Sequence, residues 1–345
     1  LSMVWDAIFA LQSDLTNANS CQLVPYAYCA GADLSYMDLS GMDLTGIDLH
    51  GANLHNTTFD YATLDGADLR LIVASNATFI HSGMNHTYLQ NSEFNRYSSS
   101  ECGGYCGAAN LTNANLYKAD LTDGWLQYAD LTNANLEEAD LADAYLRDAD
   151  LTDAILLNAD LTNANLQWTD LTDADLRYAD LTNAYLVGAD LTDANLWDAD
   201  LTDANLRDAD LTNAELRDAD LTDATLSGTN LTSASLWDAD LTNAYLYGAN
   251  LTNARIWDAD LTDANLYGAN LTNANLRDAD LTNAYLSVAD LTNADLRYAV
   301  LTDASFYSAD LSDTDLYGAD LTGATFEFGD LTNADLKYTN LTNAS

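Results

Sequence analysis

Alternating apolar and polar positions dominate this chain. In Ala119-Asp120-Leu121-Thr122-Asp123 the alanine and the leucine are two positions apart, and this five-residue pattern continues from about residue 109 to residue 345. An extended backbone points residues two apart to one side and the residue between them to the other. The remaining two residues can turn a corner. The pattern therefore predicts a coil of short strands, with alanine and leucine inside and polar residues outside.

A shorter run of the same pattern precedes the main one, over residues 32–96. The five-residue phase breaks over residues 97–108, which read YSSSECGGYCGA. We expect this segment to leave the coil as a loop, because its length is not a multiple of five. The predicted organisation is an N-terminal segment at 1–31, a first solenoid block at 32–96, a Cys-containing loop at 97–108 and a main solenoid at 109–345.

The N-terminus carries a different pattern. Leu1, Val4, Trp5 and Ile8 fall at helical spacing, which predicts a short amphipathic helix over residues 1–12. A helix in this place most often covers the open edge of a solenoid's first coil. The first residue is Leu rather than Met, which suggests a processed or truncated product.

The repeated unit resembles the consensus A-(D/N)-L-x-x of the pentapeptide-repeat family, and nearly every unit after residue 109 matches it. The resemblance implies an all-β fold, a right-handed quadrilateral β-helix with four pentapeptides in each coil, preceded here by the short N-terminal helical cap. Residues twenty apart should then stack directly, at about 4.8 Å between neighbouring strands.

The charge narrows the set of partners. Fifty-four Asp and Glu against 11 Lys and Arg give a formal net charge of −43, which argues against binding to nucleic acid or to anionic membranes. Apolar residues make up 48% of the chain and recur at fixed positions, so it has the material for a packed core. The sequence contains no apolar run long enough to predict a membrane span.

Four cysteines fall outside the regular coils. We predict two local disulfides, Cys21 with Cys29 and Cys102 with Cys106, because each pair lies within one short irregular segment. A metal site at the C-x3-C pair is the alternative, although structural zinc sites usually use C-x2-C. Disulfides imply an oxidising compartment, so we expect an extracellular or cell-surface protein.

Sequons for N-glycosylation point to the same compartment. Many read N-L-T and arise whenever Asn replaces the Asp of the repeat, as at Asn340. Asn56, Asn76 and Asn85 are not copies of that kind. These four are our candidates for glycosylation.

The sequence contains few residues in arrangements that suggest catalysis. His50, His55, His81 and His86 form two pairs, and the members of each pair are five residues apart, which places them on adjacent sides of the coil. A metal site there is the minor interpretation. A filled rod also offers no cleft, so we predict a non-enzyme without a cofactor. Columns of Asp would attract divalent cations such as calcium diffusely.

The variable positions form columns of their own when the chain is read every twenty residues. Arginine and aromatic rings alternating at strand spacing can stack as a ladder that stabilises the coil, and exposed aromatic stripes also suit glycans or lateral packing. The ladder residues are Arg177, Trp197, Arg217, Trp237, Trp257 and Arg277. Tyrosines form the columns Tyr185, Tyr245, Tyr285 and Tyr247, Tyr267, Tyr307.

The last repeat is still in phase at the final residue, which favours end-to-end stacking. We therefore expect a structural subunit of an extracellular filament, with itself as head-to-tail partner. The residues assigned to self-association are Leu1, Val4, Trp5, Ile8, Phe9 and Leu341. The alternatives are an acidic DNA mimic that binds a DNA-handling enzyme such as gyrase, which the family resemblance implies, and a solenoid that binds glycans or ice.

Overall fold

The computed structural model describes residues 21–94 and 108–345, and it divides into two compact units, Leu1–Ile155 and Leu156–Ser345. Within the described ranges, no residue is helical, and the strands are reduced to single bridging residues that recur every five positions. Each unit is built from right-handed quadrilateral coils, which confirms the predicted β-helix. The predicted helix at 1–12 lies outside the described residues.

The register is parallel and constant. In the first unit it begins with Tyr28 opposite Asp48, and in the second it runs from Asp160 opposite Asp180 to Asp320 opposite Asn340. Each partner is twenty residues along the chain, so one coil contains four five-residue sides, except that four bridges across the Cys-containing loop join residues 32 apart. Residues at equivalent positions therefore stack in columns, at about 4.8 Å per coil.

Each corner is a tight turn closed by one backbone hydrogen bond. At Leu111 the carbonyl oxygen accepts the N–H of Ala114 at 2.9 Å, and Asn113 between them has φ 57°. Turns of this kind need a residue that tolerates positive φ, and Asn, Asp and Gly do so most easily. This requirement explains why Asn or Asp so often follows Leu-Thr in the repeat.

The Asp or Asn before the central Leu has a second role. The Asp190 carboxylate accepts the Thr192 N–H at 3.0 Å and the Thr192 hydroxyl at 2.6 Å through the same oxygen. An Asn side chain can accept the same bonds, as Asn250 does from Thr252. The D/N-L-T sequence is therefore a local hydrogen-bonded turn that holds the outward carboxylate in place.

Each side of a coil points an Ala and a Leu into the interior, and these residues stack from coil to coil. Ala204 and Leu206 are fully buried. Where Thr replaces the inward Ala, its hydroxyl needs a partner, and the Thr229 hydroxyl donates to the carbonyl of Leu206 at 2.7 Å. Two inward rings in the first unit, Phe59 and Phe79, stack with their centroids 4.9 Å apart.

The solenoid begins earlier than the sequence predicted. Tyr26 already donates to the Thr45 carbonyl at 2.9 Å, so the coil includes part of the segment assigned to the N-terminal cap. Cys21 and Cys29 are joined as a disulfide, with their Cα atoms 4.9 Å apart. Leu23 is buried while Val24 is exposed, so the inward position shifts by one residue at this end of the described chain.

The Cys-containing loop does not disturb the register. Thr78 bridges Asn110, and the carbonyl of Phe94 accepts the N–H of Ala109 at 2.8 Å, as if the two were joined by an ordinary corner. The first predicted block and the start of the main solenoid are therefore successive coils of one β-helix in the first unit. Cys102 and Cys106 lie outside the described residues, and their pairing stays a prediction.

A buried charge tests the inward assignment. We expect Leu206→Asp to lower the free energy of unfolding by about 3–5 kcal/mol, because no partner for a carboxylate lies in the coil interior. Asp208→Asn is the matched control, since Asp208 has φ 56° at an outward corner that Asn tolerates well. Thermal melts followed by circular dichroism compare them, and equal stabilities would contradict the packing described above.

A strained corner tests the role of positive φ. Val288 is β-branched and has φ 62°, so Val288→Asn should stabilise the protein by about 1 kcal/mol. The reverse change, Asn283→Val at φ 60°, should destabilise it by a similar amount. Chemical denaturation measures both, and a destabilised Val288→Asn variant would show that the Val288 side chain packs better than its backbone is strained.

Candidate functional site

The second unit presents four faces, which we name from the residues that bridge between coils. The acidic face carries Asp160, Asp180, Asp200, Asp220, Asp240, Asp260 and Asp280. The opposite Asp/Asn face carries Asp170, Asp190, Asp210, Asn230, Asn250, Asn270, Asp290, Asp310 and Asp330. The tryptophan face runs from Asp175 to Asp335, and the tyrosine face runs from Asn165 to Thr325.

The acidic face is an uninterrupted column of seven carboxylates. Each of them accepts the backbone N–H of the Thr two residues later, so all seven are held in one orientation. Further along this column, the Thr322 hydroxyl and then the Thr322 backbone amide hold the pKa of Asp320 below its usual range. These hydrogen bonds stabilise the ionised form of Asp320.

A second acidic column follows the corners beside the tryptophan face. Partial burial, followed by the charges of Asp278 and Asp238, raises the pKa of the Asp258 carboxyl above its usual value. This site lies between two like charges at successive coils, with Arg277 as the nearby opposing charge. Like charges therefore oppose one another at Asp258, in addition to the effect of partial burial.

The tryptophan face contains the predicted ladder. The Arg217 guanidinium lies between two indole rings, 5.1 Å from the Trp197 centroid and 3.7 Å from that of Trp237. Trp237 stacks in turn on Trp257, with centroids 4.6 Å apart and planes 10° from parallel. Asp218 accepts from Arg217 Nε at 2.8 Å and from the indole N–H of Trp197 at 3.2 Å.

The two outer arginines of the ladder are bound elsewhere. Arg177 makes a bidentate pair with Asp175 at 2.7 and 2.6 Å, and Arg277 pairs with Asp278 at 3.0 Å. The stack itself consists of Trp197, Arg217, Trp237 and Trp257. Because their ring faces already contact each other and Arg217, this face suits a stabilising role better than a ligand-binding one.

A neutral ladder interrupts the Asp/Asn face. Asn250 donates from Nδ2 to the Asn230 Oδ1 at 3.3 Å and to the Thr232 hydroxyl at 2.9 Å. Its own Oδ1 accepts the Thr252 hydroxyl at 2.6 Å. An ice-binding solenoid would present its threonine hydroxyls to solvent, but on this face the hydroxyls of Thr212, Thr232, Thr252 and Thr272 donate to the Asp or Asn two residues before them.

The tyrosine face contains a feature that sequence reasoning missed. Over five successive coils it carries no charged side chain, between Arg207 and Asp208 on one side and Glu327 on the other. We call this stretch the neutral lane. It consists of residues 225–228, 245–248, 265–268, 285–288 and 305–308. Reading the charges, rather than the aromatic residues, at intervals of twenty would have found it.

Tyrosine rings cover the neutral lane. Tyr245, Tyr247 and Tyr285 are 52%, 57% and 45% exposed. Tyr247 stacks on Tyr267 with centroids 5.5 Å apart, and Tyr267 continues to Tyr285 at 6.0 Å. The glycines at the corners, Gly248 and Gly268, have nothing within 4 Å of the place that a Cβ would take. One edge of the lane is therefore open.

The other predicted site residues lie in the first unit or at the edges of the second. His55 is buried, and its Nδ1 lies 3.0 Å from the Ser75 carbonyl oxygen. His81 stacks on Tyr61, and His86 packs edge-on against Tyr117. The described ranges contain no group of three or more His, Cys, Asp or Glu side chains that could hold a metal ion.

The candidate glycosylation sites are engaged in side-chain hydrogen bonds. Asn76 Nδ2 donates to Asn56 Oδ1, Asn85 Nδ2 donates to Asp65 at 3.0 Å, and Asn340 Nδ2 donates to Thr322 at 2.8 Å. A glycan would replace these donors, and glycosylation stays a prediction. Across residues 21–94 and 108–345, no helix has the length and apolar character that crossing a membrane requires.

Several solved structures similar to this chain are pentapeptide-repeat proteins. HetL from the cyanobacterium Nostoc, involved in heterocyst differentiation regulation, is 35% identical over 75% of this chain and 89% of its own, with a TM-score of 0.19. QnrB1, a plasmid-mediated fluoroquinolone resistance protein, is 22% identical over 46% and 82%, with a TM-score of 0.36. A protein of the Arabidopsis thaliana thylakoid lumen is 34% identical over 29% and 66%, with a TM-score of 0.24. No curated protein matches the chain significantly.

These comparisons correct the predicted filament. The matched structures include several forms of a quinolone resistance protein, and the interpretation as an extracellular filament subunit with itself as head-to-tail partner is wrong. Its physical basis was an open coil end at Leu341, and any segment cut from a continuing solenoid has such an end. Leu1, Val4, Trp5, Ile8 and Phe9 lie outside the described residues. The comparisons do not support an extracellular location either.

The raised pKa of Asp258 gives a pH-dependent prediction. A group whose pKa is raised by folding favours the folded state below its unfolded value of about 3.9, and that contribution is lost as pH rises through the folded pKa. Asp258→Asn should therefore raise the melting temperature at pH 7. Because the site is exposed, the gain in the free energy of unfolding should be less than about 1 kcal/mol. This gain should vanish in acid.

Asp320→Asn is the matched control, because the pKa of Asp320 is lowered. Its stabilising contribution is present above about pH 3.9 and is lost as pH falls through the folded value, so this variant should melt lower at pH 7. Scanning calorimetry from pH 3 to pH 7 compares them. The same direction of change in both variants would contradict the assignment of repulsion to Asp258.

The repeat itself is recognised along most of the chain. The model for pentapeptide repeats matches in eight copies, over residues 27–60, 129–167, 169–208, 199–238, 214–258, 259–297, 284–323 and 309–345. These matches cover more than half of the sequence and coincide with the coils described above. The chain belongs to the pentapeptide-repeat family.

Proposed function

We propose that this protein is an acidic DNA mimic that binds the nucleic-acid-binding surface of a DNA-handling enzyme such as gyrase. The observation that carries the proposal is the charge per unit length of the second unit. Residues 156–345 contain 33 Asp or Glu and seven Lys or Arg, a net formal charge of −26. At twenty residues and about 4.8 Å per coil, the unit has one net negative charge per about 1.8 Å of axis. Duplex DNA has one per about 1.7 Å.

The rigidity of the charges supports the same conclusion. A disordered acidic tail would have to lose conformational entropy when it binds, whereas these carboxylates are already fixed by the bonds from the following Thr. On the acidic face they repeat at the coil spacing with no interruption for seven coils. A protein groove that is shaped for a phosphate backbone meets a comparable array of fixed anionic oxygens.

The charge also restricts the class of partner to basic surfaces. A surface that neutralises phosphates with Lys and Arg is the surface that a carboxylate array of this density attracts most strongly. The same charge repels DNA itself, so the protein competes with DNA for the enzyme. The protein binds as a whole surface, without a catalytic role or a resident cofactor. Diffusely bound calcium would weaken the interaction by screening the carboxylates.

The proposal is tested by competition. The protein should inhibit supercoiling by gyrase, should be displaced by duplex DNA, and should bind more weakly as salt rises, because the partner's counterions are released on binding. Removing four charges from the acidic face, by Asp180→Asn, Asp200→Asn, Asp220→Asn and Asp240→Asn together, should weaken inhibition at least tenfold. Asn keeps the bond from the following Thr, so the fold is preserved.

The matched control leaves the charge intact on the same four coils. Thr182→Ser, Thr202→Ser, Thr222→Ser and Thr242→Ser together should inhibit as the unchanged protein does. An unchanged protein that neither binds gyrase nor competes with DNA at micromolar concentration would refute the proposal. So would binding that is independent of salt.

A further inference from the structure

The neutral lane distinguishes this rod from DNA. On one flank of the lane the acidic face carries Asp220, Asp240, Asp260 and Asp280. On the other flank the Asp/Asn face is neutral at Asn230, Asn250 and Asn270 and becomes charged again at Asp290 and Asp310. A duplex has no uncharged stripe of this kind along its backbone. A partner that bound through charge alone would gain nothing from contact with the neutral lane. The lane would weaken the binding of such a partner.

The composition of the lane is that of a contact surface. Exposed tyrosine rings on a flat face supply apolar area at a low cost in side-chain entropy, and Tyr is enriched where protein surfaces meet. Tyr247, Tyr267 and Tyr285 are already stacked on one another, so little further ordering is needed on contact. Gly248 and Gly268 leave the neighbouring edge open to a side chain of a partner.

The size of the lane decides which occupant fits. Five strands at about 4.8 Å and four residues at about 3.3 Å give about 300 Å². A stable interface needs about 800 Å² from each partner, so the lane is too small to hold a second copy of this chain by itself. It is large enough to act as one part of a wider contact that the acidic faces complete.

We infer that the neutral lane is the specificity element of the proposed interface, and that it receives an uncharged apolar stripe beside the basic groove of the partner enzyme. This inference rests on the proposed function. The carboxylates attract any basic groove from a distance. The tyrosines stabilise only a complex with a partner whose groove has an apolar border. The neutral flank also keeps such a stripe from being buried against unpaired carboxylates.

The two contributions respond differently to salt, which makes the inference testable. Binding of the intact protein to gyrase and to poly-lysine, a polycation without apolar stripes, is measured by titration over a range of salt concentrations. Tyr245→Ser with Tyr247→Ser should weaken binding to gyrase at least tenfold at every salt concentration, through faster dissociation. The slope of affinity against salt should stay unchanged. Binding to poly-lysine should also stay unchanged.

Tyr185→Ser is the matched control. Tyr185 has the same position in the repeat and is 51% exposed, but its coil precedes the neutral lane. This variant should bind gyrase within twofold of the unchanged protein. Equal effects of the Tyr185 variant and the double variant would overturn the inference, because they would show that any exposed tyrosine contributes.

The remaining outcomes separate the two proposals. If the unchanged protein binds gyrase with the expected salt dependence and the double variant binds equally well, the inference about the lane is wrong and the proposed function stands. If the double variant loses binding to poly-lysine as well, the tyrosines maintain the fold and the inference is wrong. If the unchanged protein does not bind gyrase at all, both proposals fail.

Discussion

The parallel backbone ladder with its register of twenty residues is the constraint on which the rest of this structure depends. Every five residues a bridging residue makes both of its backbone hydrogen bonds with the preceding coil. The Asn205 N–H donates to the Ala184 carbonyl, and the Asn205 carbonyl accepts the N–H of Leu186. The constant register makes each residue a neighbour of the residues twenty before and twenty after it. The chemistry of a face is therefore decided by which residues recur at that interval.

This ladder places like charges next to each other, and the sequence contains several features that reduce the repulsion. Hydrogen bonds from the following Thr hold the carboxylates of the acidic face in one orientation. On the opposite face Asn replaces Asp over three successive coils and donates to its neighbour, as Asn230 does to Asp210 at 3.1 Å. On the tryptophan face Arg217 is held between two indole rings, and its guanidinium bonds Asp218. At Asp258, partial burial and then the charges of Asp278 and Asp238 raise the pKa of the carboxyl.

The same lattice explains how one rod can combine strong attraction with discrimination. Charge acts at a distance of about one Debye length and favours any basic surface, so by itself it selects poorly. Contacts with rings such as Tyr247 act only at short range, and they depend on the shape and polarity of what they meet. Because each face repeats without insertions in the second unit, the charges of the acidic face and the rings of the neutral lane can act together on the same partner.

The sequence by itself determined the five-residue unit, the inward Ala and Leu and the outward Asp, because a short repeat leaves a chain few ways to bury its apolar residues. The coil of four sides followed from the resemblance to the family. It did not determine where the solenoid begins, since the segment with Cys29 and Pro25 lacks the consensus and is fixed by its hydrogen bonds to Thr45 and Asp48. It also could not show that Arg177 leaves the ladder for Asp175, because both arrangements have the same spacing and only the side-chain geometry separates them. The members of the neutral lane never form a continuous segment of the chain, and reading the charges at intervals of twenty is enough to find them. Only the structure shows that Tyr247, Tyr267 and Tyr285 stack there, because ring contacts depend on side-chain geometry that the spacing does not determine.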